Sequence, residues 1–455
     1  MSKTASEVDR EALLDFPAST SSVQVGTMQM SAPKDRGGLV YWIFWWLGVG
    51  ILFPWNAFIT AYDYFSWVYG ADKPFMFWFS MGYNIPSFIT SMVLMRWGMA
   101  IPARLRILGS YAVFLVLVAA MPPLGTMLYH NQLSHGAVSA IVLIGVVITG
   151  SITGFLFGSV TGLAAQFPGV YSQATMGGVG AGGVIVGMLR IVTKASLPST
   201  TLGTLESSYY YFSLGAVAIF LCLVAFVVLN RLPFGRFHLQ TDTAVHGGGG
   251  DVAKLDPKLA DPLLTDGMHE TGSGAGGAGA IDRLVIARKM FRIGAPLALT
   301  FFITLAIFPG VPTLIPSTNA HFNSTGWFAV ILLTLFLVFD FIGRSLPRWV
   351  VLFNANNLWM VAVARLVFFP LWIFCVSPRL FHHDAFAYVI MILFATSNGY
   401  ICSLAFMFAP SCVDEHERES SGVILTVALN VGIACGVGSS FALSAILPVA
   451  GSVAA

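Results

Sequence analysis

Long apolar stretches recur along almost the whole chain and limit what it can fold into. A helix needs roughly 20 mostly apolar residues to cross a bilayer. Such segments satisfy their backbone hydrogen bonds in lipid only as helices or closed barrels, and their unbroken apolar pattern favours helices. The sequence therefore predicts an all-α polytopic membrane protein with eleven transmembrane helices, at residues 38–64, 75–97, 105–128, 138–167, 171–194, 207–231, 290–315, 326–349, 357–378, 384–409 and 420–448.

The composition supports this class. Of the 455 residues, 56% are hydrophobic and 10% are charged, whereas about 25% of the residues in a soluble domain are charged. The five cysteines have neither metal-ligand nor disulfide spacing, and they are Cys222, Cys375, Cys402, Cys412 and Cys435. We interpret them as small apolar packing residues, and we expect neither a metal nor a cofactor.

Two polar segments interrupt the apolar pattern. Residues 1–37 are predicted to be a disordered cytoplasmic tail. Residues 232–285 contain the runs HGGGGD and TGSGAGGAGA, but they lack the preceding strand and the following Gly-Lys-Ser/Thr of a phosphate-binding loop. We interpret this segment as a flexible, glycine-rich cytoplasmic linker. It divides the membrane part into residues 38–231 with six helices and residues 286–455 with five.

The lysines and arginines predict an orientation. With the N-terminus inside, eighteen of the 23 fall in inner segments and three in outer loops, while Arg190 and Arg365 lie within helices. Cytoplasmic loops of membrane proteins are enriched in these residues. The chain is therefore predicted to be an integral membrane protein with a cytoplasmic N-terminus and an extracellular C-terminus, and we expect it in the plasma membrane. The sequon at Asn323 would then lie outside.

An acid and a base interrupt the eighth apolar stretch, LTLFLVFDFIGRSLPRW. Asp340 and Arg344 are one helical turn apart, so they share a face and can pair. A charge at the bilayer centre costs about 2.5 to 3.5 kcal/mol, and such residues usually face a water-filled cavity. The alternative is a pair that joins two helices or reaches the interface, as we expect for Arg348. We interpret Asp340 and Arg344 as binding residues that face a central passage.

The first apolar stretch contains GILFPWNAFITA. Pro54 removes a backbone donor and loosens the turn before it. Trp55 and Asn56 follow at once and offer a flat aromatic face beside a two-sided hydrogen-bonding amide. These two residues either pack against other helices or bind a planar heterocyclic ligand, and composition alone does not decide between the two.

Small and polar residues mark three further places. The fifth stretch contains MGGVGAGG, in which Gly178, Gly180 and Gly183 would let helices pack closely, with hinge motion as the functional alternative. In the fourth stretch, the hydroxyl of Thr153 is expected to bond to the carbonyl one turn back. The run DEHERE at 414–419 is interpreted as solvated loop surface.

Taken in order along the chain, these motifs resemble the equilibrative nucleoside transporter family. The ordered set runs from Trp55 to Gly436, and it is far more specific than any one of its members. It consists of PWN at 54–56, FPGVYSQATMGGVGAGG at 167–183, FP at 308–309, the DxxxR pattern at 340–344, SNGY at 397–400 and ESSGVILTVALNVGIACG at 419–436.

The resemblance implies a major-facilitator-like arrangement of six plus five helices, with alternating access around a central site. It implies a purine nucleoside or nucleobase as the small-molecule substrate, a lipid bilayer as the surroundings and no nucleic acid polymer as a partner. Trp55 would pack against the substrate ring system. Asp340 and Arg344 would hydrogen-bond the sugar or the ring edge, and Phe308 would form an apolar wall.

The match departs from the family at two positions. Thr153 stands where family members often have a glutamine that reads the base, so the resemblance makes it a candidate substrate-binding residue. Val179 stands where another glutamine is frequent. The choice between nucleosides and nucleobases therefore stays open. The general look is similar to protozoan members, which import purines and are often driven by protons. On that likeness Asp340 is the candidate proton carrier, because intramembrane carboxyl groups serve as proton relays in transporters.

Other functions remain open at this point. A carrier of another small polar solute, such as a sugar or an organic anion, would satisfy the same composition. A non-transporting membrane receptor is a further alternative. A membrane-embedded enzyme is not expected, because the sequence has no HExxH motif, no paired intramembrane aspartates, and no serine and histidine at plausible depth. The sequence carries no prediction of oligomeric state.

Overall fold

The computed structural model describes residues 33, 35–69, 75–98, 101–197, 200–246, 278–321, 327–376 and 379–446. A long helical segment lies at each predicted span. We number these segments α1 (Leu39–Thr60), α2 (Phe75–Arg96), α3 (Ala103–Tyr129), α4 (His135–Ala165), α5 (Gly169–Ala195), α6 (Thr201–Leu229), α7 (Ala278–Ile307), α8 (Trp327–Ser345), α9 (Leu358–Val376), α10 (Asp384–Phe408) and α11 (Arg418–Ile446).

The described residues contain helices and no strand. Nine helices among them are long and apolar enough to cross a membrane by length and composition, and α2 and α8 are not among the nine. The interior of α2 is comparatively polar, with Asn84 and Ser91 among its side chains. The predicted all-α class is therefore confirmed, whereas the count of eleven membrane spans stays a prediction.

The outer surface of the helices is as apolar as their interior. Val116 is 68% exposed, Ile144 59%, Phe220 52% and Leu393 58%, although each lies well inside a long helix. Soluble proteins rarely expose large contiguous patches of this kind. Lipid tails cover such side chains without cost, so the exposed aliphatic and aromatic residues place the bundle in a bilayer.

The two halves of the chain repeat the same helix pairing. In the first half α1 packs on α5 and α2 packs on α4; in the second half α7 packs on α11 and α8 packs on α10. The halves meet where α2 and α4 contact α11, and where α5 contacts α8 and α10. The helix with the glycine run therefore lies directly against the helix that carries Asp340.

Glycines permit two of these pairs to cross closely. A Cβ added at Gly178 would overlap the backbone oxygen of Trp45, so α5 lies directly against α1. A Cβ added at Gly399 would overlap the backbone oxygen of Asp340. Small residues at helix crossings bring backbones together in membranes, and the crossing of α8 and α10 thus lies at the level of Asp340.

The predicted N-terminal tail is too long at its end. Asp35 accepts hydrogen bonds from the backbone N–H of Val40 at 3.1 Å and from the hydroxyl of Tyr171 at 3.2 Å. The first N–H groups of a helix have no partner within the helix, so this carboxylate closes the start of α1. The ordered part begins before residue 38, while residues 1–32 lie outside the described residues.

The predicted linker is also too long at both ends. Pro233–His246 forms a short helix, and α7 begins at Ala278 rather than at 290. The short helix is held by rings, with the centroid of His238 4.9 Å from that of Phe167. Residues 247–277, with most of both glycine-rich runs, lie outside the described residues, and so does Asn323.

Candidate functional site

The predicted pair in α8 forms. Arg344 Nε donates to Asp340 Oδ2 at 2.7 Å. Asp340 is 8% exposed and Arg344 is 6% exposed, so both charges have left bulk water. A buried charge needs a partner and further hydrogen bonds to offset its lost hydration, and the surroundings of this pair supply them.

The Asp340 carboxylate takes part in a longer series of hydrogen bonds. Its Oδ1 accepts from Asn398 Nδ2 at 2.7 Å. Asn398 Oδ1 accepts from Thr304 Oγ1 at 2.7 Å, and Thr304 Oγ1 accepts in turn from Arg365 Nη2 at 2.8 Å. Helices α7, α8, α9 and α10 thus share one polar network, which consists of Arg344, Asp340, Asn398, Thr304 and Arg365.

Arg344 also connects the two halves of the chain. Its backbone oxygen accepts from Gln173 Nε2 of α5 at 3.1 Å, and its Nη1 donates to Cys402 Sγ of α10 at 3.2 Å. A Cβ added at Gly180 would come 2.8 Å from Arg344 Cδ. The absence of a side chain at Gly180 therefore leaves room for the guanidinium stem between α5 and α8.

Trp55 lies in an aromatic pair that the sequence did not predict. Its ring stacks on Tyr83 of α2, with centroids 4.0 Å apart and planes 15° apart. Thr153 donates to the backbone oxygen of Thr149 at 2.8 Å, as expected, and its side chain also interacts with the Tyr83 hydroxyl. Thr153 thus supports Tyr83, which supports one face of the half-buried indole.

Asn56 lies near the same glycine run that borders Arg344. A Cβ added at Gly183 would lie 3.7 Å from Asn56 Nδ2 and 3.3 Å from Leu337 Cδ2. Gly180, which faces Arg344, is about one helical turn away along α5. The Asn56 amide and the Arg344 guanidinium therefore lie near α5 at levels that differ by roughly one helical turn.

The other predicted flexible positions lie in close packing. Pro54 is buried within α1, and the helix continues through it to Thr60. Gly178 contacts α1, while Gly180 and Gly183 contact α8. The structure gives these residues packing contacts, and the alternative of hinge motion stays a prediction.

Phe308 lies in a second aromatic stack. Its ring centroid is 3.9 Å from that of Phe336, and the planes are 17° apart. Phe336 precedes Asp340 by one helical turn, so the apolar stack lies next to the polar network along α8. Phe308 itself is half-buried.

The halves are joined at the side of the bundle where α1 begins, which we call the N-terminal side. Arg106 of α3, which is 3% exposed, forms an ion pair with Glu419 of α11. Gln166 Nε2 donates to the same carboxylate at 3.2 Å, and the Thr161 and Thr426 hydroxyls are 2.9 Å apart. These contacts hold α3 and α4 against α11.

The interpretation of DEHERE as solvated surface was wrong for two of its residues. Glu419 belongs to the ion pair with Arg106, and Glu417 is 8% exposed and pairs with Lys289 Nζ at 2.7 Å. Arg348, expected to reach the interface, lies 4.1 Å from the ring centroid of Tyr41. From the sequence alone, a run of charged residues is interpreted as solvent-facing, because their partners on other helices are not known.

Sequence reasoning missed several polar residues of the site. The sequence motifs assign no binding role to Asn398, Arg365, Thr304 or Gln173. A charged residue inside a span is a functional signal by itself, and this signal could have found Arg365. The other three carry no comparable signal.

The fold is that of the major facilitator superfamily. A solved proton:xylose symporter, XylE bound to 6-bromo-6-deoxy-D-glucose, matches with a TM-score of 0.60 at 11% identity, over 89% of this chain and 88% of that one. The transporter FucP in the outward conformation matches with a TM-score of 0.55 at 12% identity, over 89% and 92%. This likeness confirms the predicted major-facilitator-like fold, whereas the count of eleven membrane helices stays a prediction.

Within that architecture the chain belongs to the nucleoside transporter family, whose model matches residues 143–445. Equilibrative nucleotide transporter 8 of Arabidopsis thaliana is 28% identical over 89% of this chain and 94% of its own length. Equilibrative nucleoside transporter 2 of Rattus norvegicus is 29% identical over 92% and 99%. Nucleoside transporter 1 of Crithidia fasciculata is 25% identical over 86% and 91%. The chain is a membrane transporter and not an enzyme.

Proposed function

We propose that this transporter carries purine nucleosides, their free nucleobases, or both, by alternating access between its two halves. The observation that carries the proposal is the buried pair of Asp340 and Arg344, joined at 2.7 Å in α8 and bonded to α5 through Gln173. Binding sites of transporters built from two repeated halves lie where the halves meet. This pair has that position.

The chemistry of the pair fits the edge of a purine or of its sugar. A purine is flat and carries both donors and acceptors at its edges. Arg344 offers donors from a planar fork, and Asp340 offers acceptors. Trp55 would stack on the ring with the face that Tyr83 does not cover, Asn56 would add a two-sided amide, and Phe308 would form an apolar wall.

Substrate binding would exchange hydrogen bonds rather than add a charge. An uncharged ligand can replace part of the contact between Asp340 and Arg344, and the two ions remain close together while it does so. The pair then needs less hydration while access to the site changes from one side of the membrane to the other, because the ligand supplies hydrogen bonds that water would otherwise make. Substrate binding thereby lowers the free-energy cost of moving between the two access states.

The substrate range follows from two positions. Thr153 and Val179 have no side-chain amide, and the Thr153 hydroxyl donates within its own helix to Thr149, so neither residue can read a base as a glutamine would. A site that holds its ligand mainly by one edge tolerates the loss of the sugar. We therefore include free nucleobases, and uptake of hypoxanthine compared with adenosine tests this extension.

Asp340 is the candidate proton carrier for coupled transport. Both of its oxygens accept hydrogen bonds, from Asn398 and from Arg344, so a proton must displace one of these donors. Inward currents evoked by individual purines, recorded in cells without other purine transporters, test this role. Uptake without any current would assign the chain to facilitated diffusion.

We further propose a plasma-membrane location with the N-terminus in the cytoplasm and the C-terminus outside. The support is the excess of lysine and arginine in the segments on the N-terminal side. Epitope tags at the two ends test this orientation, with antibody binding to intact cells expected at the C-terminal tag alone. Antibody binding at the N-terminal tag of intact cells would show that the orientation is opposite to the proposed one.

The main experiment is uptake of radiolabelled adenosine and hypoxanthine in cells that lack their own transporters. We expect saturable uptake that unlabelled purines inhibit and that Asp340→Asn abolishes, because the amide replaces one of the two acceptor oxygens with an NH2 donor. Ser345→Ala is the matched control, since the Ser345 hydroxyl bonds within its own helix to Phe341. Inhibition by sugars or organic anions and not by purines would overturn the proposed substrate class.

A further inference from the structure

Arg365 is a buried arginine inside α9, one of the helices that are apolar enough to cross a membrane. It is 2% exposed and lies where a turn of 3-10 helix, Arg365–Val367, interrupts α9. Its Nη1 donates to the backbone oxygen of Phe394 at 2.9 Å and to the hydroxyl of Ser397. The guanidinium lies 4.9 Å from the ring centroid of Phe394. The lipid interface is therefore not where this charge is stabilised.

The remaining contact of Arg365 sets a direction along the polar network. A guanidinium has donors and no acceptor, so Arg365 Nη2 must donate to Thr304 Oγ1, at 2.8 Å. The threonine proton is then free for Asn398 Oδ1 at 2.7 Å, in competition with the backbone oxygen of Thr300 at 2.8 Å. An amide that accepts at its oxygen turns its nitrogen the other way, here towards Asp340.

The charges of the network point the same way. It contains two guanidiniums, those of Arg344 and Arg365, and one carboxylate, that of Asp340. The Asp340 carboxylate acts electrostatically on Arg365, although no direct hydrogen bond joins these two side chains within the described network. Two positive groups thus share one carboxylate, which accepts directly from Arg344 and Asn398 and is linked to Arg365 through Asn398 and Thr304.

We propose that Arg365 is a positioning residue for the Asp340 site. It acts through Thr304 and Asn398 to fix the orientation of the carboxylate, which accepts hydrogen bonds as long as it carries no proton. The site then selects ligands that present a donor to Asp340, such as a sugar hydroxyl, a ring N–H or an exocyclic amine. This selectivity deepens the proposed function and rests on it, whereas the positioning itself does not.

Thr304→Val tests the positioning, because valine keeps the shape of threonine and removes the hydroxyl that links Arg365 to Asn398. Thr300→Val is the matched control. Thr300 lies one turn earlier in α7 and is similarly buried, and its hydroxyl donates to the backbone oxygen of Pro296 within the same helix. Thr304→Ser restores the hydroxyl and should restore the wild-type behaviour.

The first readout separates KM from the maximal rate of adenosine uptake, normalised to the amount of protein at the cell surface. We expect Thr304→Val to raise KM by about 3- to 20-fold, the range of single hydrogen bonds between membrane helices, with a smaller change in the maximal rate. Arg365→Gln should raise KM at least as much. Equal effects of Thr300→Val and Thr304→Val would reduce the network to helix packing and overturn the proposal.

The second readout needs no substrate. Cys402 Sγ accepts from Arg344 Nη1 and is fully buried, so its alkylation by N-ethylmaleimide reports whether Arg344 and Asp340 keep their places. The experiment uses the full chain with Cys412→Ser and Cys435→Ser, and peptide mass spectrometry measures the labelling. We expect Thr304→Val to increase the labelling of Cys402 several-fold, and Thr300→Val to leave it unchanged.

The two readouts separate the two proposals. If the wild-type chain takes up none of the purines, the proposed substrate class fails, and the labelling of Cys402 still decides the positioning role. If Thr304→Val shows wild-type KM and wild-type labelling, the positioning role of Arg365 fails, whatever the substrate is. Raised KM and raised labelling, both reversed in Thr304→Ser, support it.

Discussion

Asn398 Nδ2 lies 2.7 Å from Asp340 Oδ1, on the opposite side of the carboxylate from Arg344 Nε, which lies 2.7 Å from Oδ2. The amide comes from α10 and the guanidinium from the same helix as the acid. Gly399, the neighbour of Asn398, packs on the backbone oxygen of Asp340. The helix crossing therefore fixes the carboxylate before any ligand arrives, and a preorganised site loses less entropy on binding.

Arg344→Lys should weaken substrate binding although it keeps the charge. A lysine lacks the planar fork whose Nε and Nη1 donate in fixed directions to Asp340 and Cys402, so it holds the two contacts less well. Since hydrogen bonds to charged groups contribute about 1.5 to 3 kcal/mol, we expect KM to rise by roughly tenfold to a hundredfold. Arg348→Lys is the control, because Arg348 is exposed on the Tyr41 ring. Wild-type KM in Arg344→Lys would contradict the site.

Gly399→Ala should destabilise the protein more than an ordinary glycine substitution. The new Cβ would overlap the backbone oxygen of Asp340, and overpacking of a tight interior costs about 1 to 3 kcal/mol. Gly438→Ala is the control, since a Cβ there meets nothing within 4 Å. Thermal unfolding of the purified proteins in detergent measures the difference. Equal melting temperatures would show that α8 and α10 can separate at no cost.

Glu419→Gln should impair transport without touching the central site. The change replaces the carboxylate that pairs with the buried guanidinium of Arg106 by a neutral amide, and weakening a buried ion pair is destabilising. Because Glu419 is partly exposed, we expect a cost of about 1 to 3 kcal/mol for the state closed on the N-terminal side. Initial rates of adenosine uptake should fall about fivefold or more.

Glu415→Gln is the matched control for that experiment. Glu415 precedes the same helix and pairs with Arg418 at 3.3 Å, but its side chain is 63% exposed. Exposed pairs contribute about 0 to 1 kcal/mol, so the uptake rate should stay near the wild-type value. Equal loss in both variants would mean that general surface charge, and not the Arg106 contact, supports transport.

His238 should make the fold sensitive to acid. Burial, and then the charge of Arg418, lower its pKa to about 4. An unfolded histidine titrates near 6.5, so the unfolded chain binds more protons between these values, and stability falls as the pH drops below about 6.5. By about pH 5 the loss should reach about 1 to 2 kcal/mol, before any effect of other groups.

Thermal unfolding of the purified protein at about pH 7.5 and about pH 5 measures this loss. We expect a smaller drop in melting temperature for His238→Gln, because the glutamine takes up no proton. His416→Gln, at an exposed position in the loop before α11, serves as the control and should keep the wild-type drop. An unchanged drop in His238→Gln would assign the acid sensitivity to other groups.

The helices themselves were predictable because lipid allows few alternatives. An apolar stretch of spanning length has to satisfy its own backbone, so residues such as Leu39 and Ser345 lie within a few positions of predicted helix ends. The segment Pro233–His246 was assigned to a linker, since its stabilising rings, Phe167 and Tyr171, come from a distant part of the chain. Composition records length and polarity but not such contacts.

The site was predictable where one residue carried the signal alone. A carboxylate in an apolar helix is costly wherever it points, so Asp340 stood out before its surroundings were known. Asn398 and Thr304 did not, because an amide and a hydroxyl are common in membrane helices and matter here only through the groups they meet. The stack of Trp55 on Tyr83 joins α1 to α2, and nothing in either stretch indicates the other.

The repeated pairing of α1 with α5 and of α7 with α11 has a mechanical consequence. Each half is closed by its own helix contacts, so it can tilt as a unit while those contacts are kept. Only contacts between the halves have to break, among them the ion pair of Arg106 with Glu419 on the N-terminal side. The conformation open to the opposite side then requires no refolding, because the two similarly paired halves can exchange their tilts.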